Sequence, residues 1–162
     1  ETSPKVKEVL AEKIELFTDP KRAAEIADVA VFLLPDDQQP KFWREKLEPN
    51  LNKGSMVIFA HGFNLHSKKI LPRHDLDIAL VAPMAHGDAV RSNFIEKQMT
   101  PCLIAVAQDA SRNTNEKANH YAKMISHGPF VKTTVFPLTS KPKDVLTPTS
   151  LSFSTIRPAT IS

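Results

Sequence analysis

Three short stretches put imidazole, carboxylate and carboxamide groups directly after apolar runs, where folding could bring them to one ligand. They are Pro35-Asp36-Asp37-Gln38-Gln39 after VAVFLL, His61-Gly62-Phe63-Asn64 after MVIFA, and Met84-Ala85-His86-Gly87-Asp88 after DIALVAP. Open α/β sheets bind ligands beyond the carboxyl ends of their strands, near the point where strand order reverses. If each apolar run is a strand, all three stretches face one crevice, which favours a site over three unrelated turns. Each also has an ordinary reading. Asp36 and Asp37 suit a strand-to-helix turn, and Gly62 suits a turn that needs a glycine. His61 could be a strand-end histidine satisfied by backbone, and Asp88 suits a helix cap.

Other chemistries find less support. His61 and His66 are five apart, so a single helix face would not present both to a metal. His66 and His74 read as loop histidines. Cys102 lies within TPCLIAVAQ and reads as a buried, inert thiol; as the only cysteine it makes no internal disulfide, in keeping with a reducing compartment. The chain has 4 glycines and 13 prolines in 162 residues, and no glycine cluster of the phosphate-cradling GxGxxG or GxxxxGK[ST] kind. Its 21 Lys and Arg are dispersed among 18 Asp and Glu, which argues against a nucleic-acid partner. No apolar stretch is long enough to cross a bilayer and no signal-peptide pattern opens the chain. A cytoplasmic protein without a membrane partner is expected, or an organellar one if a transit segment precedes Glu1. The start at Glu1 rather than Met sets the expectation that something upstream has been removed or lies beyond this sequence.

The elements that must position these residues alternate in type. Ser3-Pro4 reads as the start of a helix through PKVKEVLAEK, IELF as a short strand, and Thr18-Asp19-Pro20 as the opening of a helix through KRAAEIA. VAVFLL has the pattern of a strand buried on both faces. PDDQQPKFWREKL follows as turn and helix, with Phe42, Trp43 and Leu47 on its apolar side. MVIFA, DIALVAP and CLIAVAQ read as strands, with a helix through AVRSNFIEK after Asp88. In NEKANHYAKMIS, Ala118, Tyr121, Ala122 and Ile125 recur at helical spacing, and VKTTVF reads as the last strand. Strands alternating with helices imply a parallel sheet with helical crossovers, an α/β three-layer fold. From Thr133 to Ser162, Thr, Ser and Pro supply 16 of 30 residues. Residues 1–140 are therefore expected to form the folded domain and 141–162 a mobile Ser/Thr/Pro-rich tail.

LLPDDQQP, EPNLNKGSMVIFAHGFNLH, DIALVAP, TPCLIAVAQDAS and HYAKMIS occur in the order and near the spacing found in ketol-acid reductoisomerases. Over roughly residues 1–136 the chain resembles the NADPH-binding, Rossmann-like domain of that family of branched-chain amino-acid synthesis. The resemblance implies an Mg²⁺-dependent alkyl shift in a 2-aceto-2-hydroxy acid, followed by hydride transfer from NADPH. It places His61 at the active-site histidine of the AHGFN motif. It also places Asp36, Asp37, Gln38 and Gln39 in the cofactor-contacting segment, Gly87 where backbone approaches the cofactor, and Ser3 near the 2′-phosphate.

The departures matter equally. The family's first βαβ unit, with its glycine-rich loop, is missing. Its VAPKGPGHTVR loop reads VAPMAHGDAVR here, so Met84 and Ala85 replace a lysine and a glycine. Lys97-Gln98-Met99 replaces a triple glycine, and Ser126-His127-Gly128 a glycine run. Side chains then stand where the cofactor would approach, so weak or no cofactor binding is expected. The family's Mg²⁺ ligands begin near the place where this chain reads KPKDVLTPTS, and Asp144 alone echoes them; a hard cation needs several oxygen ligands. The isolated chain is accordingly expected to perform neither half-reaction. The competing reading is a non-catalytic relic or interaction module that keeps the sheet and binds no cofactor.

Overall fold

A computed structural model of the chain describes residues 17–126 and 130–132. The helix expected from Pro4, the strand expected from Ile14, and Ser3, Gly128, Asp144 and the tail lie outside those residues. Asp19 starts helix α1 (Pro20–Ile26) as expected: its carboxylate accepts the Lys21 N–H at 3.0 Å, and Pro20 sits in the first turn. There its missing N–H costs nothing. Strand β1 (Val29–Phe32) leads through Pro35 into helix α2 (Gln39–Phe42), which widens into a π-helical turn, Trp43–Leu47, and closes in a 3₁₀ turn, Glu48–Asn50. Strand β2 (Met56–Phe59), short helix α3 (Phe63–His66), strand β3 (Asp77–Pro83) and helix α4 (Gly87–Ile95) follow. Strand β4 (Cys102–Gln108), helix α5 (Thr114–Ile125) and strand β5 (Phe130–Lys132) complete the described order. The last of these overlaps the expected VKTTVF strand at Val131 and Lys132.

The sheet runs β1-β2-β3-β4-β5. β1, β2 and β3 are parallel and in step, with Val29 opposite Met56 and Met56 opposite Asp77. β4 departs from the all-parallel expectation: it runs antiparallel to β3, with Pro83 opposite Cys102, while β5 is again parallel to β4. The reason lies in α4. A crossover helix must bury a face against the sheet to carry the chain back to its starting edge, and α4 has no buried residue. The chain instead re-enters from the edge it left, where the Met84 N–H donates to Pro101 O at 2.8 Å.

The core has two parts because β2 is buried on both faces. Val57 and Phe59 join Phe32, Trp43, Leu65 and Ile78 under α1 and α2, whereas Met56 and Ile58 join Val81, Ile104, Ala118 and Ala122 under α5. Trp43 is 1% exposed and packs against Phe32 and Phe59; burying such aromatics contributes more than any other single group here. Ala118 and Ala122 are buried, with Tyr121 and Ile125 packed beside them, as the helical spacing predicts. β1 corrects its expectation. Only four residues long, it exposes Val29 and Val31, and Leu33 just beyond it is 69% exposed. Among the described residues no strand lies outside it, and α5 packs on β3 and β4 without reaching this side.

α4 ends with Lys97 at φ 55°, a left-handed conformation that favours glycine. The Gln98 N–H donates to Asn93 O and the Lys97 N–H to Phe94 O, a complete Schellman closure. Lys97 is the first of the three residues that replace glycines in the resemblance, so the backbone keeps a turn suited to glycine although the side chain has changed.

Candidate functional site

Parallel pairing puts the exits of β1, β2 and β3 at one edge, since Phe32 faces Phe59 and Phe59 faces Leu80. All three chemistry-bearing stretches therefore emerge side by side. After β1, Asp36 is half-buried and Asp37 and Gln38 are exposed. After β2, His61 is exposed. After β3, Met84, His86 and Gly87 are exposed. The side chains of Asp36, Asp37, Gln38 and His61 make no hydrogen bond among the described residues.

Gly62 answers whether this turn merely requires a glycine. Its φ of −88° and ψ of −1° are open to any residue, and a Cβ built on it would meet only Leu80 Cδ2, at 3.9 Å. The turn does not need glycine. A Cβ on Gly87 would meet nothing within 4 Å. Gly87 is thus bare toward open space, as a close ligand approach demands, whereas the Cβ position of Gly62 faces Leu80. Asp88 differs from its expected place. α4 begins two residues earlier, with His86 at the cap position and Asp88 in the first turn, where a carboxylate still complements the helix dipole.

Gln39 behaves unlike its neighbours. It is 2% exposed, and its side chain is spent inside the protein: Nε2 donates to Leu34 O at 2.7 Å, and Oε1 accepts from Asn64 Nδ2 at 2.9 Å. Asn64, 0% exposed, also donates from Nδ2 to Asp36 O at 2.8 Å. Asn64 lies within the AHGFN stretch but is not among the residues that the motif points to. Its available signal was a carboxamide set between Phe63 and Leu65, a costly choice in an apolar context.

Cys102 is 0% exposed, and burial raises its thiol pKa, opposed in part by a hydrogen bond from Ser126. That is an inert thiol, as expected. Among the described residues no group of three or more His, Cys, Asp and Glu could hold a metal ion. No described helix is long and apolar enough to cross a membrane.

Residues 2–129 match the family model described as "Acetohydroxy acid isomeroreductase, NADPH-binding domain". The chain belongs to the ketol-acid (acetohydroxy acid) reductoisomerase family. Among solved structures it is similar to an NADH-preferring ketol-acid reductoisomerase from an uncultured archaeon, with 32% identity and a TM-score of 0.76. That match covers 83% of this chain and 41% of the reductoisomerase, so the chain spans less than half of that relative. A semialdehyde dehydrogenase NAD-binding protein from Cupriavidus necator, in complex with calcium and NAD, shares the fold at 18% identity. Its TM-score is 0.61 over 85% of this chain and 52% of that one. A 3-hydroxyisobutyrate dehydrogenase from Mycobacterium tuberculosis does so at 12% identity and TM-score 0.57, over 78% and 42% of the two chains. The Rossmann-like sheet and the reductoisomerase lineage expected from the sequence are both borne out, and the matched domain is one that binds a nicotinamide cofactor.

Proposed function

We propose that this chain supplies one wall of the nicotinamide-dinucleotide cleft of a ketol-acid reductoisomerase. The reading rests chiefly on one observation: the in-step parallel β1–β2–β3 exits carry Asp36, Asp37, Gln38, His61 and Gly87 to one edge, and the side chains of the first four have no hydrogen-bond partner among the described residues. The residues present fit a dinucleotide. Bare backbone at Gly87 admits close approach, and exposed Asp and Gln side chains can accept from and donate to ribose hydroxyls and amides. His61, standing at the cleft, is the group assigned to move a proton at the reacting substrate. Bound there, the cofactor would supply the hydride and the protein its orientation. NADPH is the cofactor assigned, and Ser3 its 2′-phosphate contact. The substrate assigned is a 2-aceto-2-hydroxy acid. The described residues do not fit an Mg²⁺ site, and the isolated chain is expected to bind without turnover.

Titration of NADPH and NADH against the chain, followed by nicotinamide fluorescence, tests this reading. Saturable but weak binding is expected, reduced about tenfold by Gly87→Ala, whose added methyl the protein itself accommodates. Equal binding by wild type and variant would contradict the assignment. A second reading, an interaction module without cofactor, has one observation behind it: exposed Val29, Val31 and Leu33 beside an apolar groove along α1. Absence of any nucleotide binding would favour it.

A further inference from the structure

Each of the two turns that frame His61 is closed by its own backbone bonds. After β1, the Gln38 and Gln39 N–H groups both donate to Pro35 O, at 3.0 and 3.1 Å. After β2, the His66 N–H donates to Gly62 O at 2.9 Å, and the Ser67 N–H to Phe63 O at 2.8 Å. No backbone hydrogen bond described here joins the first turn to the second. Side-chain amides do. Asn64 Nδ2 donates to Asp36 O at 2.8 Å and to Gln39 Oε1 at 2.9 Å, while Gln39 Nε2 donates to Leu34 O at 2.7 Å. The pair therefore holds the carbonyls on both sides of Pro35. The orientation of the Asn64 amide follows from its partners: turned over, its oxygen would face two other oxygens.

The arrangement is an expensive way to fill a core position. Asn64 Oδ1 is buried and has no hydrogen-bond partner, and a buried acceptor left unsatisfied costs stability that a leucine in the same volume would not. Stability alone does not explain a carboxamide there. Deepening the cofactor reading and resting on it, we propose that Asn64 and Gln39 are positioning residues. They lock the turn carrying Asp36, Asp37 and Gln38 to the turn carrying His61, so that both walls of the cleft keep one spacing. The link spans 25 to 28 residues of sequence and works through a single amide, so one substitution releases it.

The test uses the full chain and two variants that cut the link from opposite sides, Asn64→Leu and Gln39→Met, with amide hydrogen exchange and thermal melts. Asn64→Leu relieves the unpaired Asn64 Oδ1 but takes the donor from Gln39 Oε1, so the melt serves to show that the variant folds, and exchange at the Gln38 and Gln39 amides is expected to speed up by about tenfold or more. β2 and β3 should stay protected. Gln39→Met is expected to speed exchange at the His66 and Ser67 amides across the gap by a similar factor. A purely structural amide would instead loosen only the turn that carries the substitution, and that result overturns the proposal. If Asn64→Leu does not fold, Gln39→Met decides alone. Nucleotide titration separates the two ideas. Where wild type binds NADPH or NADH, both variants should weaken binding about tenfold. Where it binds neither, the cofactor reading fails, and the exchange results still judge the lock.

Discussion

At the amino edge of the sheet, Asp77 is fully buried and fully occupied. Its carboxylate accepts from the Ser111 N–H at 2.8 Å, the Ser111 hydroxyl at 2.6 Å and Lys117 Nζ at 3.0 Å. Beside it, Asp109 takes the Thr114 N–H at the start of α5, and Gln108 donates to Arg73 O and Leu76 O. Arg73 in turn pairs with Asp75 and donates to Glu48 O. At the carboxyl edge, Asp36, Asp37, Gln38 and His61 face outward with no side-chain partner among the described residues. The same residue types thus serve opposite ends. Where loops must be tied to the sheet, polar groups are used up internally; where a ligand must enter, they are left available. The Asn64–Gln39 pair lies between these cases, spent inside so that its neighbours stay free.

The contrast breaks first if Asp77 proves dispensable. Asp77→Ala removes the shared acceptor of the Ser111 N–H, the Ser111 hydroxyl and Lys117 Nζ, so it should lower unfolding stability by about 1–3 kcal/mol, measured by urea denaturation. Nucleotide titrations should be unaffected. The pH dependence sharpens the same point. Burial pushes the Asp77 carboxyl up, but hydrogen bonds from Ser111 and Lys117 outweigh it and leave the pKa below its ordinary 3.8. The unfolded chain therefore takes up this proton first as pH falls. The stabilisation is present above about pH 4 and is lost as pH falls through the folded value. Asp77→Asn should flatten that part of the acid-unfolding curve.

Smaller effects come next. Lys97→Gly should raise stability by about 0.5–1 kcal/mol, because glycine adopts the left-handed closure of α4 without the Cβ penalty; a thermal melt measures it. At the carboxyl edge, His61→Ala should change stability by less than about 0.5 kcal/mol, since the exposed ring holds nothing together. A large loss there would make His61 structural and erase the difference between the edges.

Much of this was legible from local pattern. Asp19 and Pro20 announced α1, the apolar runs announced β2, β3 and β4, and the alanine spacing announced the buried face of α5. The placement of three polar stretches at one edge followed from strand ends alone, and the site residues came with the family motif. Strand direction did not show: DIALVAP and CLIAVAQ look alike locally, and only the failure of α4 to pack on the sheet reverses β4. The edge position of β1 among the described strands was hidden for a related reason, because VAVFLL has a fully buried pattern whatever lies beside it. The Asn64–Gln39 and Asp77–Ser111 links join residues 25 and 34 apart, and no short-range signal encodes such a meeting.

The most direct measurement is an amide chemical-shift map of the chain titrated with NADPH and with NADH. Shifts should gather at residues 36–38, 60–63 and 84–88 and spare Asp77, Asp109 and Ser111. Shifts gathered at the amino edge instead, or none at millimolar nucleotide, would contradict the assignment of the carboxyl edge to the cofactor.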